Sequence, residues 1–257
     1  MISGIKSTVE SAQTLLPTFQ ARTMSAPYEN KGVLFSEVLF VCAALPAAEP
    51  QRLFESGRAC GVSTYLLSVC FPSSKIVSIE FDPQSPDVEV AARNLRDRKN
   101  VECLFGDARQ LLPELVREGD VVVIDGPKHF RALRLALRLL RHCGPMAVFI
   151  HDCFQGSPER DFLSGNPTGA FFSDDEAFVR SFAFLDAPCW ELRRGLETVE
   201  FSEPYLSHGI RSSYGPTFAC LPGNPHLDFR RLQTRLMLAG WRYRLSKSWA
   251  KRFRPRC

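Results

Sequence analysis

The chain has 257 residues, 45% of them hydrophobic and 23% charged, and a net charge of +4. These are the values of a soluble globular protein with room for one α/β domain and additions at its ends. Nine cysteines, an odd number with no Cys-x-x-Cys pair, exclude a disulfide framework or a zinc ribbon and point to a reducing compartment.

The start, Met-Ile-Ser-Gly-Ile-Lys, lacks the apolar core of a signal peptide. The longest clean apolar run, Val38 to Leu45, is too short to span a bilayer. The expected location is therefore cytoplasmic. Residues 1–32 read as an N-terminal helix and linker: Ile2, Ile5 and Val9 share a helical face, Pro17 interrupts it, and polar residues 23–32 follow. Residues 33–226 form the main domain. Its first helix carries Leu34, Val38, Val41 and Leu45 at a spacing that buries one side, and Pro46 and Pro50 end it.

From 52 to 152 strand and helix signals alternate. The strand candidates are 52–55, 76–80, 101–105, 120–124 and 146–150. Helical segments fall between them, at about 62–71, 86–98, 108–117 and 128–142. Ser85 followed by Pro86 gives the second helix its start, with Ser as the cap and Pro in the first turn. Such alternation implies a doubly wound, mostly parallel sheet, whose ligands sit beyond the carboxyl ends of the strands. The five strands end in Glu55, Glu80, Asp107, Asp125 and Asp152. Five like charges gathered on one sheet edge repel one another unless they bind something.

The first strand leads into Glu55-x-Gly57-x-x-x-Gly61, and Ser63 and Thr64 open the next helix. A glycine turn at a strand–helix junction lets a ligand lie against bare backbone. A dinucleotide fingerprint is excluded, because its second and third glycines would fall at Ala59 and Val62. The turn, continued by Val-Ser-Thr, resembles the first motif of class I S-adenosylmethionine-dependent methyltransferases. It is close to the form found in catechol O-methyltransferase-like enzymes.

The resemblance covers roughly residues 33–154. It implies a seven-stranded Rossmann-like sheet with helical additions at both ends of the chain, and S-adenosylmethionine as cofactor. The cofactor would be held by Glu55, Gly57, Gly61 and Ser63 in the first turn. Glu80 and Phe81 would hold it after the second strand, Asp107 and Ala108 after the third, and Asp125 after the fourth. Glu80 stands where the family's acid accepts both ribose hydroxyls, a task suited to a carboxylate. Asp125 and Lys128 have the Asp-x-x-Lys spacing of the catechol-type enzymes, which implies a divalent metal (Mg or Mn) on the aspartate and a general-base lysine. Asp152 matches the second metal-binding aspartate. The family's third ligand, an asparagine, is here Cys153, and a thiol is a poor ligand for Mg²⁺. A metal-free site, with Lys128 supplying the positive charge between Asp125 and Asp152, is therefore slightly favoured. His151 is the second candidate base.

In the helix 127–142, Leu133, Ala136, Leu137 and Leu140 form one face and Arg131, Arg134, Arg138 and Arg141 another, which reads as core against solvent. Residues 155–172, rich in Gly, Pro, Ser and Asn, read as a loop over the active edge that selects the substrate. Ser173-Asp-Asp-Glu176 reads as a capping box for a helix to about Asp186, with Phe178, Phe182 and Leu185 inward. Residues 198–201 and 217–221 read as the last strands, an antiparallel pair.

Residues 227–257 form a basic amphipathic tail. Residues 228–257 hold ten Lys or Arg and one acid, a charge of +9, which leaves the remainder at −5. Leu232, Leu236, Leu238, Trp241, Leu245 and Trp249 interleave with the arginines. Three readings follow: an anionic membrane surface, RNA phosphates, or packing on the domain. Of these, RNA is the least favoured; methylation of a nitrogen, as on RNA, is a separate enzyme alternative, and the absence of the family's Asn/Asp-Pro-Pro-Tyr/Phe signature after strand 120–124 speaks against it. The expected activity is methylation of a hydroxyl on a small molecule or glycan. The competing class is an inactive methyltransferase-fold scaffold that acts through its tail. Either form is compatible with a homodimer and with a peripheral membrane location.

Overall fold

The structure is a computed structural model and describes residues 2, 4–29, 32–45, 49–189, 216–224 and 226–252. One sheet holds β1 (Arg52–Ser56), β2 (Lys75–Glu80), β3 (Val101–Phe105), β4 (Val121–Ile124), β5 (Ala147–Ile150), β6 (Phe171–Phe172) and β7 (Ala219–Pro222). Their order is β3-β2-β1-β4-β5-β7-β6. Strands β1 to β5 are parallel, and β7 runs antiparallel to both of its neighbours. The helices are α1 (Ile5–Thr23), α2 (Phe35–Ala44), α3 (Val62–Cys70), α4 (Asp87–Leu95), α5 (Ala108–Leu115), α6 (Phe130–His142), α7 (Pro158–Ser164), α8 (Glu176–Phe182) and α9 (Phe229–Arg252). A 3-10 turn, Ala183–Asp186, follows α8.

The central strands are continuous apolar runs because helices cover both faces. Alternate residues then serve two cores. Leu53, Ile76, Val121, Val123 and Phe149 pack with α1, α2, α3 and α8. Phe54, Val77, Val122, Ile124 and Val148 pack with α5, α6, α7 and α9. Phe40 of α2 meets Phe149, Phe171 and Phe178 edge-on at 6.2, 5.6 and 5.4 Å, which ties α2 to the sheet and to α8. Truncating a fully buried phenylalanine of this kind to alanine costs about 3–5 kcal/mol.

All five predicted parallel strands are present within a residue of their expected ends. Four local expectations are corrected. Pro17 lies inside α1 and does not interrupt it. The buried face of that helix is Thr8, Ala12, Phe19 and Thr23, so the bond lost at Pro17 falls on the exposed side, where water replaces it. Helix α2 is buried on nearly every side, because α1, α3 and the 3-10 turn surround it. The loop expected over 155–172 contains α7 and β6. Ser157 caps α7 by accepting from the Arg160 N–H at 3.2 Å, and Pro158 follows it. The helix after residue 173 is capped by Asp175, whose carboxylate accepts from the N–H groups of Ala177 and Phe178. Ser173 is instead buried and bonded to Phe218.

Strand β7 lies between β5 and β6. The strand expected at 198–201 lies outside the described residues. The strand order reverses between β1 and β4, so the crevice for a ligand opens at their carboxyl ends.

Candidate active site

Two groups of residues meet at that edge. The first surrounds the turn after β1. Gly57 has φ +88°, and a Cβ there would lie 3.0 Å from the Gly126 nitrogen and 3.1 Å from the Asp125 carbonyl carbon. Glycine thus lets the β1 turn and the β4 turn touch. Ala59, where a dinucleotide fingerprint has glycine, adopts φ +43° and donates its N–H to Glu80 Oε2 at 2.9 Å. Glu80 Oε1 accepts from the Phe81 N–H at 2.8 Å. The carboxylate at the end of β2 is therefore fixed by backbone on both oxygens. Beside it opens a cavity of about 260 Å³, lined by Gly57, Glu80, Phe81, Asp107, Ala108 and Gly126 among others. Phe81 stands at its rim, 70% exposed.

Three of the residues expected around the cofactor are placed differently. Glu55 is 1% exposed and turned inward, where it accepts from Thr64 Oγ1 and from Ser78 Oγ at 2.7 Å. Burial raises its pKa, partly offset by the hydroxyls of Ser63, Thr64 and Ser78. Ser63 is likewise buried and hydrogen-bonded to Glu55. Gly61, at φ +78°, abuts Ala91 and Leu95 of α4. Its missing side chain serves helix packing. Asp107 lines the cavity, but its carboxylate caps α5 and pairs with Arg109, which lowers its pKa.

The second group is a row of alternating charges: Glu37, His151, Asp125, Lys128 and Asp152. His151 Nδ1 lies 2.6 Å from Asp125 Oδ1, and its Nε2 lies 3.2 Å from Glu37 Oε1. The Lys128 ammonium bonds Asp125 Oδ1 and also reaches Asp152 Oδ2 at 2.6 Å. Asp152 takes φ +62°, and Thr217 clamps it, with its Oγ1 accepting from the Asp152 N–H at 3.3 Å and its carbonyl from the Cys153 N–H at 2.8 Å. Thr217 in turn donates its N–H and hydroxyl to Glu37 Oε1 at 2.7 and 3.0 Å.

This row answers the repulsion expected of clustered acids. Burial alone would lower the His151 pKa, but Asp125 and Glu37 on its two sides raise it well above 6.5. Burial would likewise lower Lys128, and Asp125 and Asp152 override it and raise it. Burial would raise Asp125, but His151 and then Lys128 hold it well below the carboxylate range. Glu37 follows the same pattern, its burial overridden by His151 and by bonds from the Leu34 and Thr217 N–H groups. With both cations protonated the five groups carry one net negative charge. Both candidate bases, Lys128 and His151, thus have their pKa values raised by the carboxylates beside them, which favours the cationic form and suits the metal-free arrangement with Lys128 between Asp125 and Asp152.

Asp125, His151 and Asp152 offer three donor atoms within 4.8 Å of one another. As arranged they do not fit a divalent ion. The ammonium of Lys128 fills the position between the two carboxylates, and His151 is held as a proton donor by Asp125 and Glu37. Cys153, at the position of the expected third ligand, is 1% exposed and packed in the core with Phe162 and Leu163. Burial pushes its thiol well above the usual range.

Glu37 and Thr217 are the residues that the sequence reading missed. A signal for Glu37 was present: it is an acid three residues after Leu34, on the face read as wholly apolar.

The seven-stranded sheet, parallel except for β7, is what the sequence resemblance implied. The fold is a doubly wound, mostly parallel Rossmann-like sheet. Among solved structures, the chain is similar to cofactor-bound Rv0187 from MTB, at 19% identity over 82% of this chain and 90% of that one, with a TM-score of 0.46. It is similar to the O-methyltransferase TomG from Streptomyces achromogenes, in complex with S-adenosylmethionine, at 16% identity over 87% and 92%, TM-score 0.40. Aeropyrum pernix fibrillarin with natively bound S-adenosyl-L-methionine gives 19% identity over 72% and 71%, TM-score 0.39. At such values these likenesses carry no argument. No protein-family model matches the chain, and no curated protein matches it.

Proposed function

We propose that the chain is an S-adenosylmethionine-dependent methyltransferase that methylates a hydroxyl of a small molecule or glycan. The observation that carries this reading is the adjacency of two features at one sheet edge. One is the cavity that holds the backbone-fixed Glu80, and the other is the Asp125–Lys128–Asp152 row. Gly57 and Gly126 join them, since both line the cavity and touch the turn that carries Asp125. The inactive-scaffold alternative leaves the matched charges of that row without a purpose.

The cofactor supplies a methyl group already activated on a sulfonium. The protein's task is to position the acceptor and manage charge and a proton. Glu80 accepts hydrogen bonds from the ribose hydroxyls. The single net negative charge of the Glu37-to-Asp152 row suits a positively charged sulfonium beside it. Lys128, a cation, donates to the acceptor oxygen and orients it. Asp152 is the most exposed carboxylate of the row, at 40% against 26% for Asp125 and 2% for Glu37. It would take the proton that the acceptor hydroxyl gives up. His151 holds Asp125 in place from the buried side.

The test is release of S-adenosylhomocysteine in the presence of a panel of phenols, alcohols and sugars. Lys128→Ala and Asp152→Asn should each lower turnover by about 10²–10⁴-fold. Because Asp125 and Asp152 raise the Lys128 pKa above its ordinary value, turnover should not climb from about pH 7 to 9 as it would with a lysine base. A rate that climbs steadily across that range would make Lys128 the base. EDTA should leave the rate unchanged. Loss in EDTA with recovery in Mg²⁺ or Mn²⁺ would place a metal on Asp125 and Asp152 in the lysine's stead.

A further inference from the structure

Helix α9 has two apolar faces, and only one of them is used. Leu232 and Leu236 are 3% and 2% exposed and pack in the core beside α6. Arg235 Nη1 donates to Asn166 Oδ1 at 2.8 Å, and Arg141 of α6 donates to Gln233 at 2.9 Å, which fixes that side. On the opposite side Met237, Leu238, Trp241 and Leu245 are 58%, 52%, 57% and 41% exposed. At 100° per residue these four fall within about one third of the helix circumference. Arg231 and Arg242 flank the stripe on one edge and Arg244 on the other, and Arg230 lies on the stripe's own face about two turns before Met237. Four large apolar side chains aligned in water are unusual on a monomer's surface and mark a contact surface.

We infer that this face of α9 lies on an anionic membrane surface. The charge decides between occupants. Residues 228–257 carry ten Lys or Arg and one acid. A second copy of the chain would bring +9 against +9, which repels. An anionic lipid surface complements the charge and at the same time accepts the apolar stripe, with Trp241 at the headgroup level. RNA would satisfy the arginines but has no use for the Met237-to-Leu245 stripe. Among the described residues no helix is long and apolar enough to cross a membrane, so the contact is peripheral. The helix rests on α6 through its other face, so the seated protein keeps its fold.

The experiment is co-sedimentation of the full chain with vesicles of phosphatidylcholine alone and of phosphatidylcholine with phosphatidylglycerol. The chain should pellet with the anionic vesicles at low salt and stay in solution with the neutral ones. The combined substitution Met237→Glu and Trp241→Glu should weaken the vesicle affinity at least tenfold, or about 1.4 kcal/mol. Both side chains are exposed, so its thermal midpoint and its S-adenosylmethionine affinity should match the parent chain's. If the parent stays in the supernatant with both vesicle types at low salt, the inference is overturned. It is also overturned if the doubly substituted chain, shown to be folded, pellets as well as the parent, since charge alone then explains adsorption. A dimer in light scattering that the substitutions dissolve, without vesicle binding, would give the face to a second copy. Retention on polyuridine without vesicle binding would give it to RNA. None of these results depends on whether the chain transfers a methyl group.

Discussion

His151 shows how the site balances its charge. A histidine after a strand reads in sequence as a base, but two carboxylates turn it into a fixed cation. Removing Glu37 tests this. Glu37→Ala removes the carboxylate that faces Nε2 of the buried His151, and breaking a buried pair costs about 3–5 kcal/mol. The melting temperature should fall accordingly, while Glu37→Gln, which keeps the shape and the bonds to Thr217, should cost less. Asp186 is the opposite case. It accepts from the Ser36 N–H at 2.9 Å and from Ser36 Oγ at 2.6 Å, and burial raises its pKa to about 7. A raised folded pKa stabilises the fold fully below the unfolded value, and the benefit is lost as pH rises through the folded one. Stability should therefore fall between about pH 4 and pH 7, by no more than about 4 kcal/mol. Thermal melts of Asp186→Asn should lose that slope over the same range, and a slope retained in the variant would assign it to other groups.

At the scale of elements the sequence was most legible where periodicity and punctuation agree. The five parallel strands and the helices between them carry both signals, and each is present. The segments misread are those in which tertiary contacts override local signals. Helix α2 has the pattern of a one-sided helix, but α1 and the 3-10 turn cover its other sides. The two residues of β6 are too few for any period, and their pairing with β7 sets them. Helix α7 did carry a signal, the Ser157-Pro158 pair, hidden in a segment dominated by Gly, Pro and Ser. The contact between the β1 turn and the β4 turn is an element-scale feature with a direct test. Gly57→Ala forces a Cβ to within 3.0 Å of the Gly126 nitrogen at φ +88°. It should destabilise the fold by about 1–3 kcal/mol and weaken cofactor binding, because Gly57 and Gly126 both line the cavity. A variant with unchanged melting and unchanged affinity would show that the turns part without cost.

Across the whole molecule the chain divides its charge by task. The acidic body gathers its carboxylates at one sheet edge, and the basic C-terminal helix presents an arginine-flanked apolar face to its surroundings. That the parallel strands end in acids on one sheet edge was legible from the alternation of strands and helices. How they are neutralised was not, because Glu37 and Thr217 reach the site from α2 and from the approach to β7, far away in sequence. Nor was it legible that Glu55 turns into the core, since strand-face direction depends on the register with β2 and β4. The account depends most on Glu80 as the cofactor's anchor, and calorimetric titration of S-adenosylmethionine into the parent chain and Glu80→Ala tests this directly. Hydrogen bonds to a charged group are worth about 1.5–3 kcal/mol each, so loss of the ribose pair should weaken binding by roughly 30- to 1000-fold. Equal affinity in the two proteins would remove Glu80 from the site, and no binding to the parent chain would contradict the methyltransferase reading itself.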